Sequence, residues 1–176
     1  MIGRRPKRMK PLYVILFAAC LAISCNPFAP GLDTDLASNS ILGDPTTIDG
    51  VFQNIKYAYT FRDTSIYGQL INSDFTFLYR DYDRGVDVSW GRDEEMGTTS
   101  RLFLNVERLD LVWNNIVTLS SDSSGTSATI TRNFNLTVTI NQGDIVRVDG
   151  YANFSFERSQ PQNPWKISRW RDESNF

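Results

Sequence analysis

ATITRNFNLTVTINQGDIVRVDGYANFSF, residues 128–156, is the stretch from which the fold is read. Ala128, Ile130, Phe134, Leu136, Val138 and Ile140 alternate with Thr129, Thr131, Asn133, Asn135, Thr137 and Thr139. A period of two over that length describes a strand with one dry face and one wet face. Asn141-Gln142-Gly143-Asp144 turns the chain, and Val146, Val148, Ala152, Phe154 and Phe156 resume the alternation against Arg147, Asp149, Asn153, Ser155 and Glu157. The stretch is a long antiparallel hairpin with one apolar side, and that side needs a cover.

At 176 residues, 41% of them hydrophobic and 12% aromatic, the chain has enough apolar mass for one core. The net charge of −2 hides an asymmetry. Five of the 18 basic residues (Arg4, Arg5, Lys7, Arg8 and Lys10) stand in the first 24 positions, which hold no acid. The remainder carries 13 basic against 20 acidic side chains, a balance with no general attraction for nucleic acid. Histidine is absent, which removes the commonest general base and the commonest metal ligand together. No glycine-rich phosphate loop, nucleophile motif or metal-ligand spacing is found, so no cofactor and no metal site are expected.

The basic start is followed by an apolar run at residues 12–23. As a helix this run spans about 18 Å, short of the ~30 Å hydrocarbon core, and it reads as the central segment of a signal peptide. It ends Leu21-Ala22-Ile23-Ser24-Cys25, with Asn26-Pro27 beyond. That resembles a bacterial lipoprotein signal, in which small residues precede a cysteine that is lipidated and becomes the first residue after cleavage. The likeness departs at Ala22, where a branched aliphatic residue is preferred, and Phe17-Ala18-Ala19-Cys20 is a competing site deeper in the apolar run. What the resemblance implies is a leader at 1–24, a lipid on Cys25 and an extracytoplasmic protein held to a membrane of the cell envelope. Asn26, in place of the aspartate associated with inner-membrane retention, favours the outer membrane. Residues 26–43, rich in Pro, Gly, Ser and Asn, read as a flexible tether spanning about 24 Å.

Asp44-Pro45-Thr46-Thr47 is a helix start, with Asp49 placed for a capping box with Thr46. Ile48, Val51, Phe52, Ile55 and Tyr59 share one helical stripe. Asp63-Thr64-Ser65 caps a second, shorter helix that directs Ile66, Tyr67, Leu70 and Ile71 inward and stops at Asn72-Ser73-Asp74. Phe75, Phe77 and Tyr79 then mark a strand. The charged run from Arg80 to Gly85 reads as a solvated loop with weak ion pairs. Residues 89–103 are expected to be a third helix, with Asp93, Glu94 and Glu95 in its first turn and Arg101 near its end to match the helix dipole. Further on, Leu109, Leu111 and Trp113 share a strand face, and Val112 and Ile116 suggest a bulge or a second buried side. Residues 120–127 turn, and Trp165–Trp170 is the last strand.

The expected architecture is α+β: a curved antiparallel sheet of four to five strands, covered on its concave face by N-terminal helices. The run from Phe61-Arg62-Asp63 to Leu70, the strand Asp74-Phe75-Thr76-Phe77 and the closing Trp165-Lys166-Ile167 with Trp170-Arg171-Asp172 resemble nuclear transport factor 2-like (cone-fold, cystatin-like) domains over residues 44–172. The resemblance implies a conical domain with a pocket between the sheet and the first helices. Its members include isomerases, dehydratases and binding or scaffolding modules, so three readings stand. In the first, a cone lined by Tyr59, Tyr79, Trp113 and Phe134 binds a small apolar or aromatic ligand. In the second, the domain is a non-catalytic interaction module of an envelope complex, open to a weak homodimer through the polar sheet face. In the third, Tyr57 or Tyr59 works with Asp74 or Asp81 as an acid–base pair. Alignment with ketosteroid isomerase places Ile55 and Tyr79 where that enzyme has its tyrosine and its aspartate, and neither can do that chemistry.

Overall fold

The computed structural model describes residues 41–175. The leader, Cys20, Cys25 and the tether up to residue 40 lie outside them. No helix among the described residues is long and apolar enough to cross a membrane.

Helix α1 spans Ile48–Phe61. Its N-cap is Thr47, whose Oγ1 accepts the Gly50 N–H at 3.0 Å. The cap falls one residue later than a Thr46–Asp49 box requires, because Asp44 Oδ1 already holds the Thr46 N–H and hydroxyl at 2.9 and 2.8 Å. Asp49 is left exposed. The stripe is inward as expected: Val51, Phe52, Ile55 and Tyr59 are buried, and Ile48 packs against them. Arg62 ends the helix in the left-handed region (φ 55°, ψ 43°), and its guanidinium reaches the Val106 and Glu107 carbonyls. Helix α2, Thr64–Leu70, is capped by Asp63, whose Oδ1 accepts the Ile66 N–H at 2.9 Å. It stops before Ile71, not at Asn72-Ser73-Asp74, because Ile71 already pairs with Ile167 of the last strand.

Strand β1, Ile71–Asp81, is followed through a tight turn by β2, Val86–Gly91, and only then by helix α3, Arg92–Asn105. A third helix beginning at Ser89, as the residue pattern suggests, leaves no room for β2, and the structure corrects it. Val86, Val88 and Trp90 alternate with Asp87 and Ser89, but the run is short and only half-covered, and its pairing with β1 supplies the missing stabilisation. Because the helix runs on to Asn105, Arg101 lies a turn short of its end and bonds Thr98 instead of the last carbonyls. The charged turn is held by Asp81, which accepts the Arg84 N–H at 3.0 Å, and by the Arg80–Asp87 pair at 3.0 Å.

Strands β3 (Arg108–Ser121), β4 (Ser127–Asn141), β5 (Asp144–Glu157) and β6 (Lys166–Asn175) complete a six-stranded, curved and unclosed sheet in the order β2-β1-β6-β5-β4-β3. The sheet is antiparallel except where β1 runs parallel to β6. The β4–β5 register places Ile130 against Phe154, Phe134 against Gly150 and Leu136 against Val148, so one face is apolar over most of the hairpin. Toward the hairpin tip the cover ends: Ile140 and Val146 are 39% and 43% exposed. Val112 and Ile116 are exposed too, with a register shift between Trp113 and Ile116, so β3 has a bulge there and no second buried side. Helix α1 packs on β3, and α3 packs on β1 and α2.

The β3–β4 turn has its own pH signature. Asp122 accepts the Ser124 hydroxyl and the Ser127 and Thr126 N–H groups, and these bonds hold its carboxyl down to about 2. A depressed folded-state value stabilises the native state above the ordinary carboxylate range, and the gain is lost as pH falls from about 4 toward 2. Asp122→Asn is therefore expected to lower the melting temperature at neutral pH, with the gap to wild type closing as the buffer is taken to pH 2.

Candidate functional site

The cover does not fill the cone. Between α1, α3 and the concave sheet face lies a half-open cavity of about 420 Å³. All six strands reach it: Phe77 and Tyr79 from β1, Trp90 from β2, Trp113 from β3, Phe134 and Leu136 from β4, Val148 from β5 and Trp170 from β6. Tyr59 enters from α1 and Leu102 from α3. The period of two that makes the hairpin apolar on one side aims these side chains to one place.

The walls are braced from behind. Phe77 stacks on Trp90 at 4.5 Å with the rings 15° from parallel. Trp113 meets Phe52 edge-on at 4.9 Å, and its indole N–H donates to the Phe52 carbonyl at 3.1 Å. Trp170 leans on Phe154 at 4.7 Å. Contacts of this kind fix ring orientation, so the lining is largely preformed.

Two carboxyl groups reach this apolar space. Glu95, 4% exposed, accepts three hydrogen bonds: from the Tyr67 hydroxyl at 2.6 Å, the Trp90 indole N–H at 2.7 Å and the Thr99 hydroxyl at 3.0 Å. A carboxylate offers about four acceptor directions, so about one is left. Asp172 on β6 accepts the Ser174 N–H and hydroxyl at 3.0 and 3.1 Å. Burial raises its carboxyl above the usual value, and the Ser174 bonds oppose that rise. The Tyr59 hydroxyl makes no hydrogen bond among the described residues. Burial, followed by the charges of Glu95 and Asp172, pushes its ionisation far above the ordinary phenol range. It stays a neutral donor facing the cavity.

Tyr59, Tyr79, Trp113 and Phe134, the four aromatic residues singled out in the sequence, thus lie around one cavity. The acids do not follow the sequence reading. Asp74 projects to the opposite sheet face, beside Thr76 and Ser168, because it is out of phase with Phe75 and Phe77. Asp81 is in phase but one pair too far along, where the β1–β2 turn uses its carboxylate. Tyr57 rests on Phe61 at 4.5 Å, away from the cavity. In their place stand Glu95, read from sequence only as a dipole partner, and Asp172. Their signals were present. Glu95, Thr99 and Phe103 recur at steps of four as the buried stripe of α3, and Asp172 alternates in phase with Trp170 and Ser174. No group of three acidic or cysteine side chains capable of holding a metal occurs among the described residues.

A curved, unclosed sheet closed on its concave side by N-terminal helices, with an aromatic pocket between, defines a cone-fold domain. No family model and no curated protein matches the sequence, whereas solved structures match the fold. A conserved protein from Planctomyces limnophilus superposes with a TM-score of 0.62 at 17% identity, over 73% of this chain and 93% of that one. A protein from Novosphingobium aromaticivorans assigned as a scytalone dehydratase gives 0.58 at 14%, over 73% and 82%. One from Streptomyces avermitilis, assigned as a dehydratase of the nuclear transport factor 2-like family, gives 0.53 at 16%, over 69% and 89%. At such identities the likeness is one of fold, and the fold is nuclear transport factor 2-like.

Proposed function

We propose that the protein is a lipid-tethered binding domain of the bacterial cell envelope that takes a small apolar or aromatic molecule into its cone. The observation that carries this reading is the unfilled 420 Å³ aromatic cavity, which falls within the ~300–1,000 Å³ range of small-molecule sites. A domain serving only as a scaffold has no need of such a space, since an empty apolar void forfeits packing energy. The tether and lipid rest on the leader sequence: basic start, short apolar run and Cys25. The anchor would hold the cone on the outer membrane, facing away from the cytoplasm.

One feature favours a catalytic second reading. Tyr59 and Asp172 converge on the cavity, and a buried carboxyl with a raised value suits acid–base work. That pair replaces Asp74 and Asp81 in the role the sequence suggested.

Native mass spectrometry of the full chain purified from membranes is expected to show a bound small molecule. Leu136→Trp, which fills the cavity from β4, is expected to remove it without unfolding the domain. A wild-type spectrum free of adducts would overturn the binding reading, and turnover of the captured molecule would replace it with the catalytic one. For the anchor, Cys25→Ala is expected to release the protein to the soluble fraction; acyl groups persisting in that variant would move the attachment to Cys20.

A further inference from the structure

We infer that the cavity selects a positively charged ligand: an organic amine or quaternary ammonium carried on an aromatic or aliphatic body, its cation seated between Glu95, Asp172 and the ring faces. The inference rests on the binding reading and sharpens it. Its first support is what the cavity lacks. The lining holds two acids and no Lys or Arg. Among the described residues neither Glu95 nor Asp172 has an ion-pair partner.

Nearby cations are turned elsewhere. Arg92, at the start of α3, donates to the Gly68 and Ile71 carbonyls. Arg171 is adjacent to Asp172 in sequence, but strand alternation sends it to the other face, where it meets Glu173 at 3.1 Å and Asp87 at 3.8 Å. Charged groups in protein interiors are normally paired, because an uncompensated one is costly. Here hydrogen-bond donors orient both carboxyl groups, and no cationic side chain is paired with either among the described residues.

The second support is the wall. Seven aromatic side chains line the same space. An aromatic face carries negative quadrupolar charge and attracts ammonium groups, more strongly once the cation is desolvated. Ring faces and carboxyl groups therefore favour the same sign of charge, and an anionic ligand would find no cationic side chain in the lining. The Tyr59 hydroxyl, on a residue 8% exposed and without a protein acceptor among the described residues, is placed to donate to an acceptor atom elsewhere on the ligand.

Three naphthalene probes of one shape test this by calorimetry on the full chain: 1-naphthylmethylamine, 1-naphthalenemethanol and 1-naphthoate. The amine is expected to bind about tenfold or more tightly than the alcohol, and the carboxylate not measurably. Asp172→Asn, which keeps the side chain's size, is expected to cut the amine's advantage to about threefold or less. A circular dichroism spectrum and melting transition close to those of wild type show that the variant is folded. Should Asp172→Asn fail to fold, the wild-type ranking alone decides. Equal binding of amine and alcohol, or an unchanged advantage in folded Asp172→Asn, would refute the charge preference while leaving a binding domain. Absence of binding by all three would remove the binding reading with it.

Discussion

Phe52→Ala is expected to destabilise the domain by about 3–5 kcal/mol, the usual cost of deleting a fully enclosed aromatic ring. Phe52 is 2% exposed on α1, and its ring touches Trp113, Phe154 and Phe156 edge-on at 4.9, 5.3 and 5.8 Å. The Arg132 guanidinium lies 4.7 Å from the same ring centroid. No neighbour can easily collapse into the gap, because Trp113 is pinned by its hydrogen bond to the Phe52 carbonyl, which the alanine variant retains. Urea unfolding followed by tryptophan fluorescence is expected to show a lower midpoint with an unchanged slope. The loss also reaches the site. Phe52 backs the Trp113 wall, so weaker ligand binding is expected in the folded fraction. A cost below about 1 kcal/mol would mean that the helix–sheet core is organised around other residues.

Gly150→Val should be nearly as damaging for a different reason. Gly150 of β5 pairs with Ser174 of β6, and a Cβ built on it would lie 2.4 Å from the Ser174 Cα and 2.6 Å from the Glu173 carbonyl oxygen. Both are backbone atoms, so no rotamer change relieves the clash. Glycine stands here because β5 and β6 approach too closely for a side chain. The strands must part, at a cost of about 3 kcal/mol. Strand β6 lies between β1 and β5 and joins the two halves of the sheet. Limited proteolysis is expected to cut within residues 166–175 of the variant and not of wild type. Ser174 also orients Asp172, so the amine preference proposed for the cavity should weaken along with β6.

Much of the framework is legible one residue at a time. The alternation of residues 128–156 corresponds to β4 and β5, and the stripe Val51, Phe52, Ile55 and Tyr59 to α1, because each pattern reflects a single apolar surface with a fixed period. Tyr59, Tyr79, Trp113 and Phe134 are legible as a group because each sits in phase with a buried face. Strand β2 is not, since a six-residue edge strand draws its stability from the partner and little from its own composition. The capping of α1 slips by one residue because Asp44 engages the Thr46 N–H and hydroxyl, which leaves Thr47 to accept from Gly50, and spacing along the chain does not decide which side chain is so engaged.

Alternating surfaces and helical stripes can be read from the linear chain, because each depends on neighbours at most three or four residues away. The parallel placement of β1 beside β6 came only with folding, and with it the choice of acids that share the cavity. Along the line, Asp74 and Asp81 look better placed than Glu95 and Asp172. Laying α3 across the curved sheet brings Glu95 to the Tyr67 hydroxyl over a separation of 28 residues and buries it beside Trp90. The periods of α3 and β6 mark Glu95 and Asp172 as inward-facing, but the desolvation of both and the Tyr67 contact to Glu95 are properties of the assembled cone.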